Sequence, residues 1–579
     1  MKEVGIFPMF NPFGILSHHG QKRADLQQTS RNPPALPVLS ALHYAASIGL
    51  LPDYYPNFVT LFKRCYPSIV ELQYGLERCQ FSIAQAYLAR IEEVNLKGPK
   101  LRAVIEINPK AIQQAASLDN ERKKGRKRSP LHGIPILLKD NIASEGMNNT
   151  AGSYALLGST FPGDATVADK LRKAGAIILG KANLSEWMHF RDLFIAQGWS
   201  ARGGQGTNPY YPGADPCGSS SGSAVATAIG LATASLGTET VGSLICPSSY
   251  NNVVGIKPTV GLAYQFGIVI PVSSRQDTIG PIARNVADAA AILTVIAGRD
   301  KKDNYTQTAP KKTLDYTQFL NRAAIKGKRF GVPRDIFTND AVTGNNPAIN
   351  AEFVKALDTI RSLGGIVVDP VESSLGSSFD SLQNSMASVL AVDFKIEINK
   401  YLNSLKSIPT GVTSLAKLIA FNDACKELEQ PSGYEGQNIF LASNMTSGYD
   451  SAYYDALRTN LAQTREQGID AMLKSYKLDA LVVPSNAAIA GYPMITDGLH
   501  SVPLGFHPND TTVVPSSAGP NTVFPAPGVP FGLSFVGTAY SEPSLIGFAY
   551  AYEQRTQTRL KRRAYTQAVP TTQLEDIIR

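Results

Sequence analysis

A chain of 579 residues, 43% hydrophobic and 18% charged, has the make-up of an ordinary globular protein long enough to bury a large core. Its net charge of +8 is small for that much surface, so a nucleic-acid partner is not expected. The cysteines Cys65, Cys79, Cys217, Cys246 and Cys425 show neither C-x-x-C spacing nor a His/Cys cluster, which argues against a zinc site and a disulfide framework. No metal or other cofactor is expected.

Residues 1–64 read as a poorly specified leader rich in Pro, Asn, Gln and Ser, ahead of a main domain over 65–570. The first residues lack the pattern of a signal peptide, so a cytoplasmic location is expected. The uncharged stretch 32–52 contains Pro33, Pro34, Pro37 and His43, a poor composition for a spanning helix. It reads as a surface helix; a secretory or membrane-contact segment is the alternative.

From Ile69 the pattern sharpens. Helical spacing follows Ser68 and Ser82, both suited to N-capping. Leu101–Ile107 reads as a strand and Pro109–Glu121 as a helix. The basic run Arg122–Arg128 reads as a solvated loop. A buried apolar strand, His132–Lys139, ends in Lys139-Asp140-Asn141. Thr166–Ala174 is expected to be helical, Ala176–Gly180 extended, and Ser223–Ala232 a helix of small residues. Further helices are expected near Asn350–Leu363 and Ser451–Tyr476, with a strand over Asp479–Pro484. Strand–helix alternation without a repeat predicts one α/β domain, built on a large mixed β-sheet covered by helices.

The chemistry concentrates between Asn208 and Ile256. Cys217-Gly-Ser-Ser-Ser-Gly-Ser223 runs straight into the small-residue helix. Glycine allows close backbone approach there, and a helix N-terminus favours negative charge. The second part, Leu236-Gly-Thr-Glu-Thr-Val-Gly-Ser243, is a strand end followed by a sharp turn. Such a turn can present a hydroxyl nucleophile, with the preceding amides facing a developing oxyanion. No histidine lies between Phe190 and Leu499 to serve as its base. Lys139 is the alternative: burial disfavours an ammonium, and a desolvated lysine can be neutral near pH 7. By spacing alone, a lysine after an apolar strand is more often a solvated strand end. Cys217 and Cys246 read as small packing residues, since no histidine is near to activate a thiol.

Lys139-Asp-Asn, Gly218-Ser-Ser, Gly242-Ser243, Val254-Gly-Ile-Lys-Pro-Thr and Asp277-Thr-Ile-Gly-Pro together resemble the amidase signature family, in order and spacing. Asn183-Leu-Ser-Glu-Trp, Gly198-Trp-Ser-Ala-Arg-Gly-Gly and Tyr550-Ala-Tyr-Glu-Gln-Arg-Thr resemble its peptide-amidase-like branch and fungal members. The resemblance implies a hydrolase of carboxamide C–N bonds acting on a small-molecule amide or peptide amide. It also implies roles: Ser243 as acyl-forming nucleophile, Ser219 as bridging serine after a cis peptide bond from Gly218, and Lys139 as base. Thr240, Val241 and Gly242 correspond to the oxyanion loop, and Met188 falls where members line the acyl pocket; Trp187 and Met188 could equally be core. Members commonly carry Gly where this chain has Val241, and often Arg soon after the nucleophile, where Leu244-Ile245-Cys246 is apolar.

Three other readings compete. An α/β-hydrolase esterase would use Ser220 in Gly218-Ser-Ser-Ser-Gly222 with His500 or His507, but that elbow needs a strand before it and Tyr210–Cys217 reads as a loop. A transamidation subunit would share the Lys139, Ser219 and Ser243 trio and work with a partner enzyme. A non-catalytic binding protein would rest on the departures at Val241 and after Ser243.

Overall fold

The computed structural model describes residues 67–77, 83–263, 269–301, 303–337, 347–372, 375–484, 494–498, 519–524 and 526–576, with short strands at 15–16, 506–507 and 515–516. Eleven strands form the main sheet. In chain order they are β1 (Val104–Ile107), β2 (Pro135–Lys139), β3 (Ile177–Ala182), β4 (Ala234–Glu239), β5 (Val254–Lys257), β6 (Thr278–Ala283), β7 (Arg329–Gly331), β8 (Ile366–Val368), β9 (Ala480–Pro484), β10 (Met494–Gly498) and β11 (Gly532–Val536). Across the sheet they lie in the order β8-β7-β9-β11-β10-β5-β6-β4-β2-β3-β1. β2 runs parallel to both β3 and β4, whereas β1–β3, β4–β6, β5–β6, β5–β10, β10–β11 and β9–β11 are antiparallel. The sheet is mixed, as the sequence predicts.

Every residue of β2, β3, β4 and β6 is buried, so helices must cover both faces. Ile136, Leu137 and Leu138 are fully buried, and each contributes on the order of 2 kcal/mol of apolar transfer free energy. The small-residue helix Ser221–Ala228 packs on β4 and is buried along its whole length. Alanine, serine and glycine let its backbone come close to the strand. A separate layer, helices Leu375–Ser404, Asn438–Asn444 and Ser451–Leu461, packs together beside this core. Phe394 and Phe440 from that layer stack at 5.4 Å between ring centroids and enclose Trp187 and Met188.

Local signals mostly match the elements. Ser68 and Glu71 form a reciprocal capping box, the serine hydroxyl accepting from the Glu71 amide and the carboxylate accepting from the Ser68 amide. Ser82 and the stretch 32–52 lie outside the described residues. The single helix expected over Ser451–Tyr476 is interrupted: Gly468 takes φ −97° and ψ −114°, and the chain resumes as Asp470–Ser475. A glycine tolerates that conformation at little cost. Among the described residues no helix is long and apolar enough to cross a membrane.

Candidate active site

The site begins at the carboxyl ends of two adjacent parallel strands. Register pairs Leu138 of β2 with Leu236 of β4, which brings Lys139 beside Thr238. Parallel neighbours deliver their C-terminal ends to the same edge, the usual location of ligand sites in such sheets. Lys139 Nζ lies 2.8 Å from Ser219 Oγ, 3.1 Å from Thr238 O and 3.0 Å from Thr238 Oγ1. The lysine is fully buried. Burial lowers its pKa from 10.5 to about 7, against the opposing charges of Asp277 and Glu239. A depression of that size amounts to roughly 5 kcal/mol in favour of the neutral amine.

Ser219 reaches Lys139 from the loop that precedes the small-residue helix. The Gly218–Ser219 peptide is cis. A Cβ on Gly218 would sit 2.1 Å from Ser185 Oγ and 2.2 Å from Gln197 Oε1, so a larger residue would displace the hydrogen-bonded Ser185–Gln197 pair. The Ser185 amide donates to Ser219 O at 3.1 Å, and the Ser220 amide donates to Ser243 O at 3.1 Å. These bonds fix the loop on both sides of Ser219. Ser220 itself is fully buried and its hydroxyl donates to Thr238 O at 3.0 Å, a bond within the scaffold. No strand leads into it, since Tyr210–Cys217 is a loop. His500 is outside the described residues, as is the side chain of His507.

Ser243 follows the turn Thr240-Val241-Gly242, in which Gly242 takes φ 78°, a conformation that favours glycine. Glu239, the last residue of β4, accepts the amides of Leu244 at 2.7 Å and Ile245 at 3.0 Å. It thereby satisfies two donors at the start of helix Ile245–Tyr250 and holds the chain just past Ser243. Among the described residues the amides of Val241, Gly242 and Ser243 meet no acceptor. The Thr240 hydroxyl donates to Asp277 Oδ1 at 2.5 Å, while Asp277 Oδ2 accepts the amides of Val272 and Ser273 at 2.8 and 3.1 Å. Burial raises the Asp277 pKa to about 7, although the Thr240 hydroxyl opposes the rise.

A small cleft adjoins this turn, lined by Asn141, Met188, Thr240, Ile270, Val272 and Asp277 among others. Met188 is only 8% exposed, and Trp187 is fully buried edge-on to Phe440, with 5.9 Å between centroids. Trp187, Met188 and His189 all have positive φ, at 50°, 59° and 66°. Non-glycine residues in that region cost on the order of 1–3 kcal/mol each, and here the packing around Trp187 holds them. Trp187 is core, while Met188 is both core and cleft wall. Val241 is partly buried against the same apolar cluster as Met188, Ile270 and Val272.

The reading of Cys217 and Cys246 as packing residues is corrected: they form a disulfide, with Cα atoms 5.9 Å apart and a sequence separation of 29. Neither spacing nor a neighbouring motif signals this pair. Only the docking of the Ser219 loop against helix Ile245–Tyr250 brings them together. Glu239 and Asp277 are the other residues whose parts were missed; both sat inside recognised motifs without an assigned role.

Comparison with known proteins identifies the family. A model of the family described as Amidase matches residues 82–546. A protein of Arthroderma benhamiae named "Putative amidase" is 41% identical over 493 residues, covering 84% of this chain and 80% of its own length. The solved structure of native peptide amidase from Stenotrophomonas maltophilia is 40% identical, with a TM-score of 0.75 over 87% of this chain and 98% of that one. An amidase family protein of Bacillus anthracis is 32% identical, with a TM-score of 0.74 over 90% of this chain and 96% of that one. With a family match across most of its length and a serine–lysine constellation at the edge of its sheet, the chain belongs to the amidase family, hydrolases that cleave the carboxamide C–N bond.

Proposed function

We propose that Ser243, Ser219 and Lys139 carry out this hydrolysis through an acyl-Ser243 intermediate. The observation that carries the reading is the fully buried Lys139 amine, 2.8 Å from Ser219 Oγ and with a pKa lowered to about 7. Both Thr238 oxygens face Nζ, and a neutral amine has two N–H groups to give them. Its lone pair is then left for the Ser219 hydroxyl proton. Ser219 in turn accepts the proton of Ser243 as that oxygen attacks the carbonyl carbon.

The oxyanion of the tetrahedral intermediate is stabilised by amides of the Thr240-Val241-Gly242 turn, of which those of Val241 and Gly242 meet no acceptor among the described residues. Ser219 then delivers a proton to the leaving nitrogen and recovers one from Lys139. Protonation matters here because an amide nitrogen leaves very poorly as an anion. Water attacks the acyl-Ser243 carbonyl by the same relay in reverse, releasing the carboxylate. Met188 and Val241 form the apolar wall of the acyl side.

The substrate is a small-molecule amide or a peptide amide, the latter supported by the likeness to the Stenotrophomonas peptide amidase. The catalytic domain spans 65–570, with 1–64 as a leader. The sequence favours the cytoplasm, but a disulfide beside the site weighs toward an oxidising compartment. A panel of peptide amides, aryl amides and aliphatic amides, scored by ammonia or amine release, tests the activity. Mass-spectrometric mapping of a serine-directed phosphonate tests the nucleophile. The adduct is expected on Ser243; an adduct on Ser220 would transfer the case to an esterase-type elbow.

A further inference from the structure

We propose that the Cys217–Cys246 disulfide is a positioning element of the catalytic site, holding the segment that carries Ser219 against the segment that carries Ser243. The proposal rests on the roles given above to those two serines. Cys217 stands two residues before Ser219, and Cys246 three residues after Ser243. The two serine segments belong to different loops. Hydrogen bonds also tie them: the Ser220 amide donates to Ser243 O at 3.1 Å, and Asn251 Nδ2 donates to Pro216 O at 2.8 Å. The disulfide and the Ser220 hydrogen bond therefore bracket Ser219, one on either side.

Both ends of the crosslink are themselves anchored. The Cys217 amide donates to Asp215 Oδ1 at 2.7 Å, and the Cys246 amide donates to Gly242 O at 2.8 Å. A displacement at either sulfur is thus passed to backbone next to a serine rather than absorbed by slack. Each half-cystine is 6% exposed and packs with Tyr250, Phe524 and Phe531, so the bond is shielded within an apolar cluster. Two unbonded sulfurs cannot approach as closely as two bonded ones, and a packed cluster has little room to take up the difference. Reducing the bond pushes the two segments apart, and replacing both cysteines by alanine leaves them without that tether; either way the spacing of the serines is no longer fixed. Proton transfer between two hydroxyls depends steeply on their separation, whereas gross binding of substrate does not.

A dithiol opens the bond in two exchanges. Its thiolate attacks one sulfur and the other leaves as a thiolate that takes up a proton; its second thiol then displaces the mixed disulfide. The reductant is oxidised by two electrons to its cyclic disulfide, and Cys217 and Cys246 become thiols.

The test uses the full chain. Non-reducing digestion is expected to yield a linked peptide containing Cys217 and Cys246. In the double variant Cys217→Ala/Cys246→Ala, kcat for an anilide is expected to fall on the order of ten- to a hundredfold, with KM changed less than about twofold. Turnover of a matched activated ester should fall less, because its leaving group needs no proton. Phosphonate should still label Ser243, which separates this result from failure of the nucleophile assignment. If the double variant does not fold, wild-type enzyme reduced with a dithiol is assayed instead, and reoxidation should restore amide turnover. Absence of the linked peptide would overturn the proposal. So would a folded variant, or reduced enzyme, with full amide kcat and only a lowered Tm, since that pattern describes a crosslink that stabilises without positioning.

Discussion

Lys139 Nζ and Ser219 Oγ lie 2.8 Å apart in a site with no water-facing surface on the lysine, so a proton can pass between them without crossing bulk solvent. The remaining neighbours of Nζ, both on Thr238, orient the amine and leave the serine as its partner for proton exchange. Burial is what favours a neutral amine over an ammonium here, the state that the proposed base-and-relay pair requires.

That relationship predicts the pH profile. The neutral amine is the working form, so kcat/KM should fall about tenfold per pH unit below the Lys139 pKa of about 7 and level off above it. Lys139→Ala should remove nearly all amide turnover together with this acid limb. Lys139→Arg should not restore it, because a guanidinium stays protonated. Substantial amidase activity in the arginine variant would show that the position acts as a fixed charge.

In the proposed mechanism Ser219 protonates the leaving nitrogen, which an activated ester does not require. Ser219→Ala should therefore reduce amide turnover by a factor on the order of 10²–10⁴ and reduce matched ester turnover less. Ratios of kcat/KM for an anilide and a nitrophenyl ester of the same acid give the answer directly. Equal losses on both substrates would remove the leaving-group role.

Asp277 ties the oxyanion turn to the 272–273 loop through Thr240, and its charge is the largest influence that favours a protonated Lys139. With its own pKa near 7, Asp277 carries that charge only in the upper part of the range, and Asp277→Asn removes it there. The Lys139 pKa should drop further, and the acid limb should move to lower pH by less than about 1 unit. The loss of a charged acceptor for Thr240 should also lower kcat. An acid limb that moves to higher pH would contradict this sign.

Val241 presents an isopropyl group to the apolar wall beside Met188, Ile270 and Val272. Val241→Gly should widen that wall and raise the relative kcat/KM for bulky acyl groups by about tenfold. Loss of the buried methyls and the added backbone freedom should cost on the order of 1–2 kcal/mol of stability, read as a lowered Tm. An unchanged acyl-size preference would take Val241 out of the acyl pocket.

Much of this protein can be read along the chain. The apolar run ending at Lys139, the Ser/Gly run feeding a small-residue helix, and the turn before Ser243 are local patterns, and strand–helix alternation predicts the mixed sheet. Those features depend on periodicity and turn chemistry within a dozen or so residues, which a linear reading captures. The break at Gly468 is a local feature that periodicity passed over, because a single glycine does not disturb the helical spacing around it.

Other features exist only once distant segments meet. Lys139 and Ser219 are 80 residues apart, Thr240 and Asp277 are 37 apart, and the half-cystines are 29 apart. Composition supplied a lysine at a strand end; its neutrality comes from the packing that keeps water from it on every side. Glu239 reads as one more residue of a strand until the chain turns back and sets the amides of Leu244 and Ile245 against its carboxylate. Desolvation and long-range pairing are properties of what surrounds a residue, and tertiary packing alone decides those surroundings.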